Sequence, residues 1–172
     1  MIIRKAQSSD GEGIAKVHVE SWQTTYQGIL PQSYLSTLDV DNKIKMWRNI
    51  LAHSHHTYVA ECEGRIVGFA SFGKGRTNIA DAELYAIYLL QTHQKKKIGQ
   101  KLLHYAISIL LSEGYKSLFT WVVNENSSIQ FYKKLQGDLI KEKQVEIGGK
   151  LLIETAIVWE DLQQLQNVLS ID

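Results

Sequence analysis

An apolar run, Leu84-Tyr85-Ala86-Ile87-Tyr88-Leu89-Leu90, leads through a short polar stretch into Gln94-Lys95-Lys96-Lys97-Ile98-Gly99 and a long amphipathic segment. The pattern reads as a buried strand, a tight turn and a helix. The first N–H groups of a helix have no intrahelical partner, and the helix dipole makes that end positive, so such a junction can bind an anion. Three consecutive lysines at the positive end cost a few tenths of a kcal/mol each unless an anion neutralises them. A phosphate at this turn is the chemistry that placement suggests; a solvated lysine cluster is the plain alternative.

Other residue types with chemical potential are scattered. Glu83 opens the apolar strand, Asn126 precedes a later helix, and Tyr132 lies on that helix. Trp22 and Tyr26 lie one helical turn apart on the first helix, with His18 a turn earlier. The aromatic pair either walls a pocket or staples that helix to a sheet. His53-Ser54-His55-His56 invites a metal reading, but no acidic or cysteine partner has ligand spacing nearby, so no metal site is expected. Cys62, the only cysteine, reads as a small strand-end hydrophobe.

These residues need a scaffold. Ile2-Ile3-Arg4 forms a first strand, and Ser8-Ser9-Asp10 with Glu12 opens a helix whose apolar face carries Ile14, Val17, His18, Ser21 and Trp22. Tyr26 to Pro31 breaks it, and residues 32–38 and 41–51 form two further helical segments. Thr57–Cys62 and Arg65–Phe72 flank Glu63-Gly64 as a hairpin. A long helix follows the lysine turn, with Ile98, Leu102, Leu103, Ala106, Ile107, Leu110 and Leu111 on one face and Gly114 as its left-handed cap. Residues 118–123 are a β-branched and aromatic strand, 127–135 a short helix, and 139–147 with 150–159 a hairpin around Gly148-Gly149. The expected fold is α/β: a mixed, mostly antiparallel central sheet flanked by helices on both faces.

The chain has 172 residues, 44% of them hydrophobic and 22% charged, with a net charge of +1. That suits one globular domain spanning 1–172 and gives no electrostatic reason for a nucleic-acid partner, since no aromatic residue interleaves the lysines. A single cysteine, no apolar leader and no run of membrane-spanning length lead to the expectation of a cytoplasmic protein with no membrane partner.

Taken together, the residues resemble the GCN5-related N-acetyltransferase superfamily over nearly the whole chain. The apolar strand followed by Gln94, Lys95-Lys96, Lys97, Ile98 and Gly99 is similar to its central motif. Asn126 and Phe131-Tyr132 stand where the family has Asn and Phe-Tyr, and Ser21-Trp22-Gln23-Thr24-Thr25-Tyr26-Gln27-Gly28-Ile29-Leu30-Pro31 resembles the acceptor-side segment of a bacterial branch. Three departures stand out: Lys97 replaces the usual first glycine, Gln91 a common proline, and Gln136 a frequent glycine. Glycine is favoured where backbone adopts positive φ or approaches a ligand closely.

The resemblance implies the acyl-CoA N-acyltransferase fold, acetyl-CoA as co-substrate and a primary amine as acceptor. It implies the pyrophosphate over Lys95, Lys96, Lys97, Ile98, Gly99 and Gln100 behind Gln94. The pantetheine arm would run beside Tyr88, Leu89 and Leu90, with the Leu89 N–H as oxyanion donor and Asn126 either holding the arm or capping the helix. Tyr132 would be the acid for the leaving thiolate and Glu83 the base, directly or through water; each can equally be a structural residue. Trp22 and Tyr26 would bind the acceptor. A catalytically lapsed acyl-CoA-binding or partner-binding module is the alternative, and a homodimer through the terminal strands follows from their exposed edge.

Overall fold

The computed structural model describes residues 1–53 and 56–170. Seven strands form one sheet: β1 (Ile2–Lys5), β2 (Thr57–Cys62), β3 (Arg65–Lys74), β4 (Ala82–Leu89), β5 (Leu118–Val123), β6 (Asp138–Ile147) and β7 (Lys150–Trp159). Their spatial order is β1-β2-β3-β4-β5-β7-β6. Every neighbouring pair is antiparallel except β4 and β5. This is the mixed, mostly antiparallel sheet that the hydrophobic pattern predicts. The helices are α1 (Gly11–Thr25), α2 (Gln32–Leu35), α3 (Val40–His53), α4 (Ile98–Ser112), α5 (Ile129–Lys134) and α6 (Leu162–Leu169).

The two faces of the sheet carry separate cores. On one, Ile14, Ala15 and Val17 of α1 and Trp47 of α3 pack on Val59 and Phe69. On the other, Leu102, Leu103, Ala106, Ile107 and Leu110 of α4 join Leu118, Val122, Tyr132, Ile157 and Leu165. The α4 stripe recurs at three- and four-residue spacing, which is why this helix lies flat on the sheet. A third cluster, Tyr26, Leu30, Leu35, Val123 and Leu152, ties the end of α1 to the β5–β7 half.

Turn chemistry follows the sequence reading. Glu63 and Gly64 both have positive φ, as do Gly148 and Gly149, the requirement of tight two-residue hairpins. Lys97 and Gln136, where glycine is usual, also have φ of +59°. A side chain in the left-handed region costs roughly 1–2 kcal/mol, so the lysine turn is held by its surroundings against local preference.

One element goes unpredicted in the sequence reading: α6. Its signal is the Asp161 cap, whose side chain accepts from the Gln163 and Gln164 N–H groups at 2.8 and 3.0 Å. Leu162, Leu165 and Leu169 then recur on its buried face. The second predicted helical segment is shorter than expected, Gln32–Leu35 in place of 32–38. A surface depression of about 760 Å³ is lined by Lys74, Asp81, Glu113 and Tyr115 and is not where the candidate residues meet.

Candidate active site

The parallel pair β4–β5 is short. Only Ala82 with Leu118 and Glu83 with Phe119 are in register. Beyond that point the strands part, and the Thr120 hydroxyl bridges the gap by donating to the Leu84 carbonyl at 3.0 Å. The rest of β4 therefore has a free edge toward the opening.

Alternation along β4 decides which groups face that edge. The Leu90 N–H donates to Val67 O at 2.9 Å, and Leu89 is paired opposite Gly68. In an antiparallel ladder, the N–H of the preceding residue then points away from β3. Leu89 therefore presents its N–H to the opening. Tyr88 and Leu90 turn their N–H groups to β3, so of the three expected backbone partners only Leu89 offers one. Leu90 departs further, since its carbonyl accepts from the His93 N–H at 2.8 Å. Gly68 makes room for the packing here: a Cβ on it would lie 2.3 Å from Leu89 Cδ2. The Leu89 carbonyl accepts from Ser21 Oγ at 3.1 Å and from the Gln94 side-chain amide at 3.3 Å. Gln94 thus ties the turn to the strand, and Ser21 does so from α1.

At the end of the turn, Lys97 is the N-cap of α4. The first intrahelical bond runs from Lys101 N–H to Lys97 O at 3.0 Å, so the N–H groups of Ile98, Gly99 and Gln100 lack partners within the helix. Lys95, Lys96 and Lys97 are exposed around them. Gly99 lies against Leu89, where a Cβ would stand 3.3 Å from Leu89 Cδ1. The helix end and the free strand edge are thus adjacent, and an extended ligand with an anionic end fits this arrangement.

Tyr132 is 4% exposed. Its helix is positioned by Trp159, whose indole N–H donates to Leu135 O at 2.9 Å and whose ring meets Tyr132 edge-on at 5.8 Å. Burial, and secondly the nearby Tyr26 hydroxyl, push the Tyr132 phenol above its ordinary range, while the Thr120 hydroxyl opposes the shift. The phenol is therefore protonated at neutral pH and is a hydrogen-bond donor.

Asn126 does two things at once. Its Oδ1 accepts from Ser128 N–H at 2.9 Å before α5, and its Nδ2 approaches the Tyr26 hydroxyl at 3.4 Å. Tyr26 stacks obliquely on Trp22, ring centroids 4.7 Å apart. Burial raises the Tyr88 phenol, with the Tyr26 and Trp22 polar groups close by. Among the described residues, Trp22 Nε1 is the one buried side-chain polar atom outside hydrogen-bond geometry. Trp22, Tyr26, Tyr88, Asn126 and Tyr132, spread over more than a hundred residues, thus converge.

Glu83 does not join them as a free carboxylate. It is 3% exposed, and both oxygens are taken by Arg76: Nη2 to Oε1 at 2.5 Å, Nε to Oε2 at 3.0 Å, and the backbone N–H to Oε2 at 3.1 Å. It is also six residues from Leu89 along β4, about 20 Å of extended strand. His18, the turn before Trp22, is structural. Its Nδ1 accepts from the Trp47 indole N–H at 3.0 Å, and its ring stacks on Tyr88 at 5.3 Å. Among the described residues no three His, Cys, Asp or Glu side chains come together as metal ligands; Ser54 and His55 lie outside those residues. No described helix is long and apolar enough to cross a membrane.

The sequence reading gives no role to Arg76, Thr120 or Trp159 and places Ser21 only on the buried face of the first helix and in the acceptor-side segment. Ser21, Thr120 and Trp159 act through partners distant along the chain, and Arg76 through a carboxylate seven residues on.

Comparison with known proteins identifies the family. The pattern of the Acetyltransferase (GNAT) family matches residues 17–137. The N-acetyltransferase YuaI of Bacillus subtilis is 39% identical over 171 residues, covering 98% of each chain. The spermidine N(1)-acetyltransferase of Thermoplasma acidophilum is 29% identical over 77% of this chain and 84% of its own. A crystal structure of the PaiA N-acetyltransferase of T. acidophilum in complex with coenzyme A superposes with a TM-score of 0.72 at 27% identity, covering 89% of this chain and 96% of that one. The chain belongs to the GNAT family of acetyl-CoA-dependent N-acetyltransferases.

Proposed function

We propose that the protein moves the acetyl group of acetyl-CoA to a primary amine, of a small molecule or of a peptide or protein, by direct attack in the opening between β4 and β5. The observation that carries this reading is the free edge of β4, which presents the Leu89 N–H beside the open N-terminus of α4. The coenzyme A complex of the T. acidophilum structure supports the cofactor, and the spermidine acetyltransferase supports an amine acceptor.

When bound, acetyl-CoA supplies an activated acetyl thioester. In this proposal the N–H groups of Ile98, Gly99 and Gln100, with the flanking lysines, bind the pyrophosphate. The Leu89 N–H donates to the thioester carbonyl, whose oxygen gains charge as the amine attacks. The Tyr132 hydroxyl donates to the departing sulfur, and Trp22 and Tyr26 wall the acceptor side. The amine's proton leaves through water. Glu83, expected as the base, instead anchors Arg76 across the start of β4.

Mixing the protein with acetyl-CoA and a panel of primary amines tests the reading. Free thiol should appear only when an amine is present, with one acetyl group gained by that amine. Tight acetyl-CoA binding without thiol release from any amine would leave a binding module in place of an enzyme.

A further inference from the structure

At Leu89 the β4 edge turns two groups to the opening, a donor and an acceptor. Leu89 pairs with Gly68, and the next bond of the ladder runs from the Leu90 N–H to Val67 O at 2.9 Å. A residue's N–H and C=O leave an antiparallel strand on the same side, so the Leu89 carbonyl faces the opening beside the Leu89 N–H. Left bare, that carbonyl would set a partial negative charge next to the donor that a thioester oxygen needs.

It is not bare. Ser21 Oγ donates to it at 3.1 Å and the Gln94 side-chain amide at 3.3 Å, which fills both lone pairs of the oxygen. The two donors differ in shelter: Gln94 is exposed, so water competes for its bond, whereas Ser21 is 1% exposed. A serine or threonine inside a helix ordinarily turns its hydroxyl to the carbonyl one turn back. Thr24 of α1 and Ser108 of α4 do so, to Glu20 O and His104 O at 2.9 Å. Ser21 reaches instead to a strand 68 residues away in the chain. One turn earlier the His18 ring stacks on Tyr88 at 5.3 Å, so successive turns of α1 hold successive residues of β4.

We infer that Ser21 is a positioning residue for acetyl transfer: its hydroxyl fills and fixes the Leu89 carbonyl, leaving the N–H as the one group that Leu89 offers the thioester oxygen. The inference rests on the acetyl-transfer reading and adds to it a residue that acts through Leu89, not on the cofactor or the acceptor. Ser21 keeps its own proton. Its contribution lies in where the donor points and in what stands beside it. Because Trp22 follows Ser21 on α1, the acceptor wall and the thioester donor share one anchor.

Infrared spectra of acetyl-CoA with an isotopically labelled thioester carbonyl, bound to the protein without acceptor, read the donor directly. In the native complex the carbonyl stretch should fall below its value in free acetyl-CoA, because an accepted hydrogen bond weakens the C=O bond. Ser21→Ala should return about half of that shift and lower kcat about tenfold, less than the loss of an oxyanion donor itself. The KM for acetyl-CoA should be nearly unchanged. Alanine suits a helix interior, so α1 keeps its form, and Ser21→Thr, which retains the hydroxyl, should restore both readings. A serine that only steadies the fold would lower the melting temperature of Ser21→Ala and leave the stretch and kcat native. That result overturns the inference, as does a loss expressed only in the acetyl-CoA KM, or a native complex with an unshifted stretch. Thiol release with no amine at all would sink the acetyl-transfer reading. The infrared comparison of native and Ser21→Ala complexes, which needs no acceptor, still decides the Ser21 contact.

Discussion

Replacing Tyr132 by Phe should lower kcat about a hundredfold, with acetyl-CoA affinity and melting temperature nearly unchanged. The magnitude follows from the proposed role. A preorganised donor aimed at a developing negative charge contributes about 10²–10³ in rate when water is excluded. Burial holds the phenol above its ordinary range, so full proton transfer to a thiolate with a pKa of about 8.5 is uphill. The hydroxyl works as a hydrogen-bond donor to the sulfur, and a later proton from water completes the thiol. Stability should survive because Thr120 keeps a partner: its hydroxyl already donates to Leu84 O. The ring's contact with Trp159 is unaltered by the change. A tyrosine that served only to fill the core would show undiminished turnover as Phe. Steady-state kinetics of the variant beside a calorimetric CoA titration separates the two.

The second large effect concerns stability and pH. His18 is 9% exposed, and its pKa is lowered to about 4, first by burial and then by the charge of Lys43. Its Nδ1 accepts from Trp47, so the native ring is neutral. The unfolded chain binds a proton near pH 6.5. Between those values the unfolded state holds more protons than the native one, and stability must fall as pH falls. A separation of about 2.5 pH units corresponds to a loss of about 3 kcal/mol between pH 6.5 and 4, or about 6–12 °C in melting temperature for a domain of this size. Above pH 6.5 this contribution is flat. His18→Gln retains an acceptor for Trp47 and removes the titration, so its melting curve should lose most of that slope. The Arg4–Asp10 pair, bonded at 2.7 and 2.9 Å, acts in a lower window. Arg4 holds the Asp10 carboxyl below its usual range, so that loss begins only where carboxylates protonate, and it should persist in the variant. Thermal melts from pH 8 to pH 3 distinguish the two.

The two effects differ in how readable their causes were. Leu118–Val123 reads as a strand from its residue types alone, and it has those bounds in the structure. The Gly114 cap and both two-residue turns were equally plain, because a turn is local chemistry. Tyr132 and Asn126 are legible from their place in a motif. Their partners are not, since Asn126 meets Tyr26 across one hundred positions and Thr120 acts on a carbonyl of another strand. His18 stood on the buried face of α1, but only the packing of α3 shows that Trp47 occupies its nitrogen. Glu83 shows the limit most clearly. Its position at the head of the apolar strand suggested a free base, and a loop arginine seven residues earlier changes what its carboxylate can do. Covalent spacing does not encode which cation folds back over a carboxylate.

A crystal structure with acetyl-CoA bound tests the free edge of β4 directly. The thioester oxygen should lie about 3 Å from the Leu89 nitrogen. The Tyr132 oxygen should be within hydrogen-bond reach of the sulfur, with the pyrophosphate on the N–H groups of Ile98 to Gln100. A cofactor seated elsewhere, or a thioester whose oxygen faces away from Leu89, would contradict the proposed site.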